Sequence, residues 1–100
     1  MIWCPFPDQE HARAVAKALL EEKLIACANI LGPMESLYMW EGESHCDEEV
    51  GVMFKTSHHL VDDCVERLAV LHRYTSPAIM AWKCDNALPS TKEWLGSLGA

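Results

Sequence analysis

The sequence is poor in positive charge: 8 Lys and Arg stand against 15 Asp and Glu, a formal net charge of −7. That sign opposes capture by phosphate backbones or anionic lipid, so nucleic acid and membrane surfaces are not expected partners. Long apolar runs are lacking too. The longest, Leu24 to Leu31, contains Asn29 and falls far short of the roughly 20 residues that span a bilayer, which argues against direct membrane insertion. Asp8, Glu10, His11 and Arg13 interrupt the opening segment where a secretion signal would need an apolar stretch, so no cleaved signal is expected. The five cysteines, Cys4, Cys27, Cys46, Cys64 and Cys84, are odd in number, widely spaced and without a CxxC pair. Neither a disulfide framework nor a zinc ribbon is suggested, and a reducing, cytoplasmic setting fits best. Catalytic signatures are missing as well: there is no Gly-rich phosphate loop, GxSxG or HExxH. A Cys4–His72 nucleophile pair would need an orienting third group and an oxyanion hole, and the sequence identifies neither, so a binding protein is expected rather than an enzyme.

What is present is a chain of 100 residues, half of them apolar, enough for one domain spanning 1–100 around one modest core. Met1 to Cys4 reads as a short strand that Pro5 and Pro7 should end by withholding backbone donors. Asp8 is a good N-cap, and Ala12, Val15, Ala16, Leu19 and Leu20 recur with helical spacing to about Lys23. Ile25, Cys27, Asn29 and Leu31 then alternate until Gly32-Pro33, after which Leu37, Tyr38, Met39 and Trp40 resume a long, bulged strand. Glu41-Gly42-Glu43-Ser44 predicts a hairpin tip, and Glu49 to Thr56 a returning strand. Thr56 or Ser57 can cap a second helix whose apolar stripe is Leu60, Val61, Cys64, Val65, Leu68 and Leu71, ending near His72-Arg73. Ser76 to Lys83 reads as a further strand. Ser90-Thr91-Lys92-Glu93 reads as a capping box that opens a terminal helix with Trp94, Leu95 and Leu98.

The order β-α-β-β-α-β plus a terminal helix is the split βαβ, ferredoxin-like pattern of the α+β class, with the last strand beside the first and both helices on one face of an antiparallel sheet. Tyr38, Met39, Trp40, Met53 and Phe54 exceed what one helical layer can bury. A partner subunit is therefore implied.

Six segments in order resemble the CutA family over nearly the whole chain: Cys4-x-x-Pro7-Asp8, Ala26-Cys27-Ala28-Asn29-Ile30, Ser36-Leu37-Tyr38-Met39-Trp40-Glu41-Gly42, Glu48-Glu49-Val50, Lys55-Thr56 and His72-x-Tyr74-x-x-Pro77. The resemblance implies a ferredoxin-like homotrimer whose sheets join edge to edge, with the long hairpin reaching into a neighbour. It also implies a role in tolerance to divalent ions. The family's link to membrane-protein maturation in animals implies a protein partner. Two features depart from the pattern: only Met1-Ile2-Trp3 precede Cys4, and the usual His-Pro-Tyr-Glu is His72-Arg73-Tyr74-Thr75.

In this topology the end of the first strand, the start of the first helix and the end of the second meet at one sheet edge, so Cys4, His11 and His72 should converge. A thiolate with imidazoles is a ligand set for copper or another divalent transition metal, and a helix N-terminus favours the thiolate. The resemblance links Cys4 and His72 with copper; His11 is added on geometry alone. The alternative is that Cys4 is a small strand residue and His72 a helix cap. Cys27 and Cys64 read as packing, His58-His59 as a solvated first turn, and His45-Cys46 as an adventitious soft-metal site by the hairpin tip. Asp47-Glu48-Glu49 reads as a solvated strand entrance, with calcium-type binding the lesser alternative because no loop with regular oxygen ligands follows. Tyr38, Trp40 and Tyr74 either fill a subunit interface or line a cleft, and the latter leaves open a small-ligand sensor similar to the PII signal proteins.

Overall fold

A computed structural model describes residues 1–98. The elements run β1 (Ile2–Phe6), α1 (Gln9–Glu21), β2 (Cys27–Trp40), β3 (Glu43–Lys55), a 3-10 turn (His58–Leu60), α2 (Val61–Leu71), β4 (Met80–Ala81) and α3 (Pro89–Gly96). The sheet order is β2-β3-β1-β4 with every neighbouring pair antiparallel, which is the ferredoxin-like arrangement expected.

Alternation along β1 and β3 sends Ile2, Cys4, Phe6, Val50, Val52 and Phe54 to the helix-covered face. There they meet Val15 and Leu19 of α1 and Cys64 and Leu68 of α2 in one buried cluster. Burying each large side chain stabilises the fold by about 1.5–3 kcal/mol. Asp8 caps α1 as expected, its carboxylate accepting from the His11 N–H at 2.7 Å. The helix stops at Glu21, two residues before the expected end, because Lys23 takes a left-handed conformation at φ 60°.

Several boundaries differ from the sequence reading. β1 passes through Pro5 to Phe6 rather than ending at Cys4. A strand residue points its N–H and C=O to the same side, and the Pro5 carbonyl faces His72, away from β3. The donor that proline lacks is therefore not one the β3 ladder needs. The same position limits β4 to two residues instead of the span 76–83: past Trp3, β1 offers that side a proline without an N–H and a carbonyl already taken. β3 begins at Glu43, because Glu41 (φ 51°) and Gly42 (φ 80°) make a two-residue turn of the type that matches strand twist. The β2–β3 register breaks between Leu31 and Met34, where the Gly32–Pro33 peptide is cis.

Neither hydroxyl expected to cap the second helix does so. Thr56 donates to the Leu24 carbonyl at 2.7 Å and Ser57 to that of Leu98 at 3.1 Å, tying this corner to the connection between α1 and β2 and to the C-terminal segment. α3 starts with Leu88 at its cap and Pro89 in its first turn, without the anticipated capping-box bond.

Candidate functional site

The prolines after Cys4 and the Asp8 cap bring the chain from β1 into α1 in a tight turn, while His72 leaves α2 in extended conformation and runs past the end of β1. His11 and His72 therefore meet, with ring centroids 5.5 Å apart and edge to face. Phe6 stacks on His72 at 4.5 Å and meets His11 edge-on at 5.5 Å. His72 Nε2 is 2.8 Å from the Pro5 carbonyl, so that nitrogen carries the proton and donates. Its Nδ1 accepts from the Tyr74 N–H at 3.0 Å, and His11 Nε2 accepts from the Arg73 N–H at the same distance. Arg73 completes the cluster by pairing with Asp8 at 3.1 Å. A proline at position 73 would have no N–H to give His11.

These contacts fix the protonation states. Burial lowers the pKa of His72 below the ordinary imidazole value, against the opposing effects of the Pro5 carbonyl and Glu49. His11 is lowered by burial and by the nearby Arg73 and His72, with Asp8 opposing. Asp8 is held below the usual carboxylate range by the His11 N–H and by Arg73. Cys4 is fully buried, and burial pushes its thiol up to about 12, with the Glu49 carboxylate adding to the effect. The expected helix-terminus activation of this thiol is thus overridden by its surroundings, since desolvation penalises the charged form more than a distant dipole favours it.

These residues do not fit a copper or similar metal centre in this conformation. Late transition metals need a thiolate and a neutral nitrogen with its lone pair free. Cys4 is held as a thiol turned into the core, its Sγ 3.5 Å from the Pro5 carbonyl, and both nitrogens of His72 are committed. Among the described residues, no group of three or more His, Cys, Asp and Glu side chains is placed to hold a metal ion. The structure brings His11 and His72 together as a hydrogen-bonded clasp, with Cys4 behind them in the core.

The run Asp47-Glu48-Glu49 is not simply solvated. Glu49 is only 8% exposed and accepts from the Tyr74 hydroxyl at 3.0 Å, while Asp47 accepts from the Tyr38 hydroxyl. His45 stacks on Tyr38 at 5.3 Å. The one sequence signal for this was the spacing: Glu49 and Asp47 lie two residues apart, on the face that carries Tyr38 and His45. His58 and His59 are exposed in the 3-10 turn, and Cys46 and Cys84 are exposed free thiols.

Comparison with known proteins agrees with this architecture. Divalent-cation tolerance protein CutA of Pyrococcus horikoshii is 41% identical over 95 residues, 95% of this chain and 92% of that protein. The crystal structure of divalent ion tolerance protein CutA1 from Ehrlichia chaffeensis superposes with a TM-score of 0.89 at 35% identity, covering 95% of this chain and 89% of that one. The periplasmic divalent cation tolerance protein CutA of Archaeoglobus fulgidus gives 0.89 at 33% identity, covering 95% and 92%. The family model for the CutA1 divalent ion tolerance protein matches residues 1–97, and the chain belongs to that family.

Proposed function

We propose that the chain acts in tolerance to divalent cations, and that it does so as a homotrimer whose subunits meet on the sheet face opposite the helices. The names of its relatives support the first part. One observation carries the second: that face holds Trp3 lying over Gly51, together with Met53, and Leu31 and Met80 remain 52% and 61% exposed. Beyond it the hairpin extends Leu37, Met39 and Trp40 into solvent on a molecule 43 Å long and 22 Å thick. Contiguous apolar surface of this kind marks an interaction site, and copies of the same chain can cover it through head-to-tail contacts that close into a three-membered ring.

Copper is not routed through Cys4, His11 and His72 in this reading, because their donor atoms are engaged as described. Among the described residues no helix is long and apolar enough to cross a membrane. The free, partly exposed thiols suit a reducing compartment.

Light scattering at micromolar concentration tests the assembly: a mass three times that of the chain is expected, with Leu31→Asp plus Met80→Asp reducing it to one copy. The tolerance role is read by growth in graded copper and zinc of cells lacking their own homologue. Restored growth by the wild type but not by the single-copy variant supports the proposal; equal growth without either protein overturns it. Copper titration calorimetry on wild type, Cys4→Ala and His72→Ala checks the excluded site, and stoichiometric binding lost in both variants would reinstate it.

A further inference from the structure

A cleft of about 290 Å³ opens between the start of α2, the segment leaving β4 and the face of α3. In a chain with 15 acidic residues against 8 basic ones, no carboxylate among the described residues lines it, whereas Lys83, Lys92, His58 and His59 all do. Neither lysine is in an ion pair among the described residues. The remaining wall is largely apolar, contributed by Trp82, Val61, Leu95 and Ala87. The hydroxyls at its base, Thr56 and Ser57, already donate to the backbone carbonyls of Leu24 and Leu98.

We infer that this cleft binds a small carboxylate with an aromatic body. Lys83 and Lys92 line one cleft with no ion-pair partner among the described residues, and an anion bound there would meet two positive charges. An indole beside them offers a flat apolar surface on which a ring can stack while its charged end meets the lysines. With both hydroxyls engaged elsewhere, recognition of the charged end falls to Lys83 and Lys92. The volume lies at the lower limit for small-molecule sites, which suits a single ring. The cleft is separate from the His11–His72 clasp and does not depend on the cation-tolerance reading.

Titration of the isotope-labelled full chain by NMR tests this, using benzoate, the neutral isostere benzamide and inorganic phosphate as probes. Benzoate should give saturable shifts at the Trp82 indole N–H and at the amides of residues 57–61 and 83. Benzamide should bind roughly tenfold more weakly, as should benzoate to a K83Q/K92Q variant, the loss expected for a charge-assisted hydrogen bond. Both substitutions are on exposed side chains, and an unchanged thermal midpoint verifies that the variant folds. Absent benzoate shifts, equal binding of benzamide, or unchanged binding by the variant would each overturn the inference. Phosphate as effective as benzoate would overturn the aromatic part of it.

Discussion

The backbone N–H of Arg73 donates to His11 Nε2 across 3.0 Å, joining the segment after α2 to the first turn of α1 through an imidazole that must be neutral to accept. One residue on, the Tyr74 N–H makes the same demand of His72 Nδ1. Two successive backbone donors are thus held by two histidines, and the geometry of this sheet edge depends on both staying unprotonated.

Stability should therefore fall as the solution is acidified. Both histidines have folded-state pKa values below their ordinary 6.5, so the unfolded chain takes up protons first. Their contribution is complete above about pH 6.5 and is lost as pH falls through the lowered values; Asp8, also lowered, adds a further loss in the carboxylate range. Urea midpoints measured from pH 8 to pH 5 should decline for the wild type. The slope should flatten in a His11→Gln, His72→Gln variant, and a flat wild-type profile would contradict the clasp.

Capping by Asp8 predicts a second effect. Asp8→Ala removes both the acceptor for the His11 N–H and the partner of Arg73, and should lower Tm by roughly 5 °C. Asp8→Asn keeps the cap and loses only the ion pair, so its Tm should lie between the two. Differential scanning calorimetry at pH 7 orders the three proteins.

Gly51 is required by the ring across from it. A Cβ there would come within 2.2 Å of the Trp3 ring, so Gly51→Ala must displace the indole and should cost about 1–3 kcal/mol in urea denaturation. Replacing Trp3 with Leu should make the same alanine nearly neutral. Additive losses in the double variant would show that the indole is not what Gly51 accommodates.

Tyr74 should titrate late and matter to folding. Burial and the hydrogen bond to Glu49 raise its phenol to about 12, so its ultraviolet ionisation step should be absent below pH 11. Tyr74→Phe leaves the Glu49 carboxylate, 8% exposed, without that donor and should destabilise by about 1–2 kcal/mol.

The thiols should divide by burial. Cys4 and Cys64 are both fully buried with pKa values pushed to about 12 and about 11, and should resist a thiol reagent until denaturant is added. Immediate labelling of Cys4 in the native protein, read by peptide mass mapping, would reopen its candidacy as a ligand.

The helical stripes of α1 and α2, the long broken strand at Gly32-Pro33 and the hairpin were all legible in the sequence. Each depends on a hydrophobic period or a turn residue that acts within a few positions along the chain. Boundaries were less legible where a distant group intervened. The length of β4 depends on what occupies the Pro5 carbonyl, and Thr56 and Ser57 leave their capping role for carbonyls 32 and 41 residues away. The meeting of His11 and His72 followed from topology, but the role of that meeting did not.

By itself, the sequence determined which elements form, in what order, and which family they resemble, because periodicity and capping are local and the element order leaves few topologies. Only the tertiary structure decided that Glu49 is a buried partner of Tyr74 and that Cys4 stays a thiol. It also decided that His72 is committed at both nitrogens. Desolvation and hydrogen-bond partnership are set by groups far away in the chain, here 67 residues between His72 and Pro5, and no local pattern encodes what a side chain will find there.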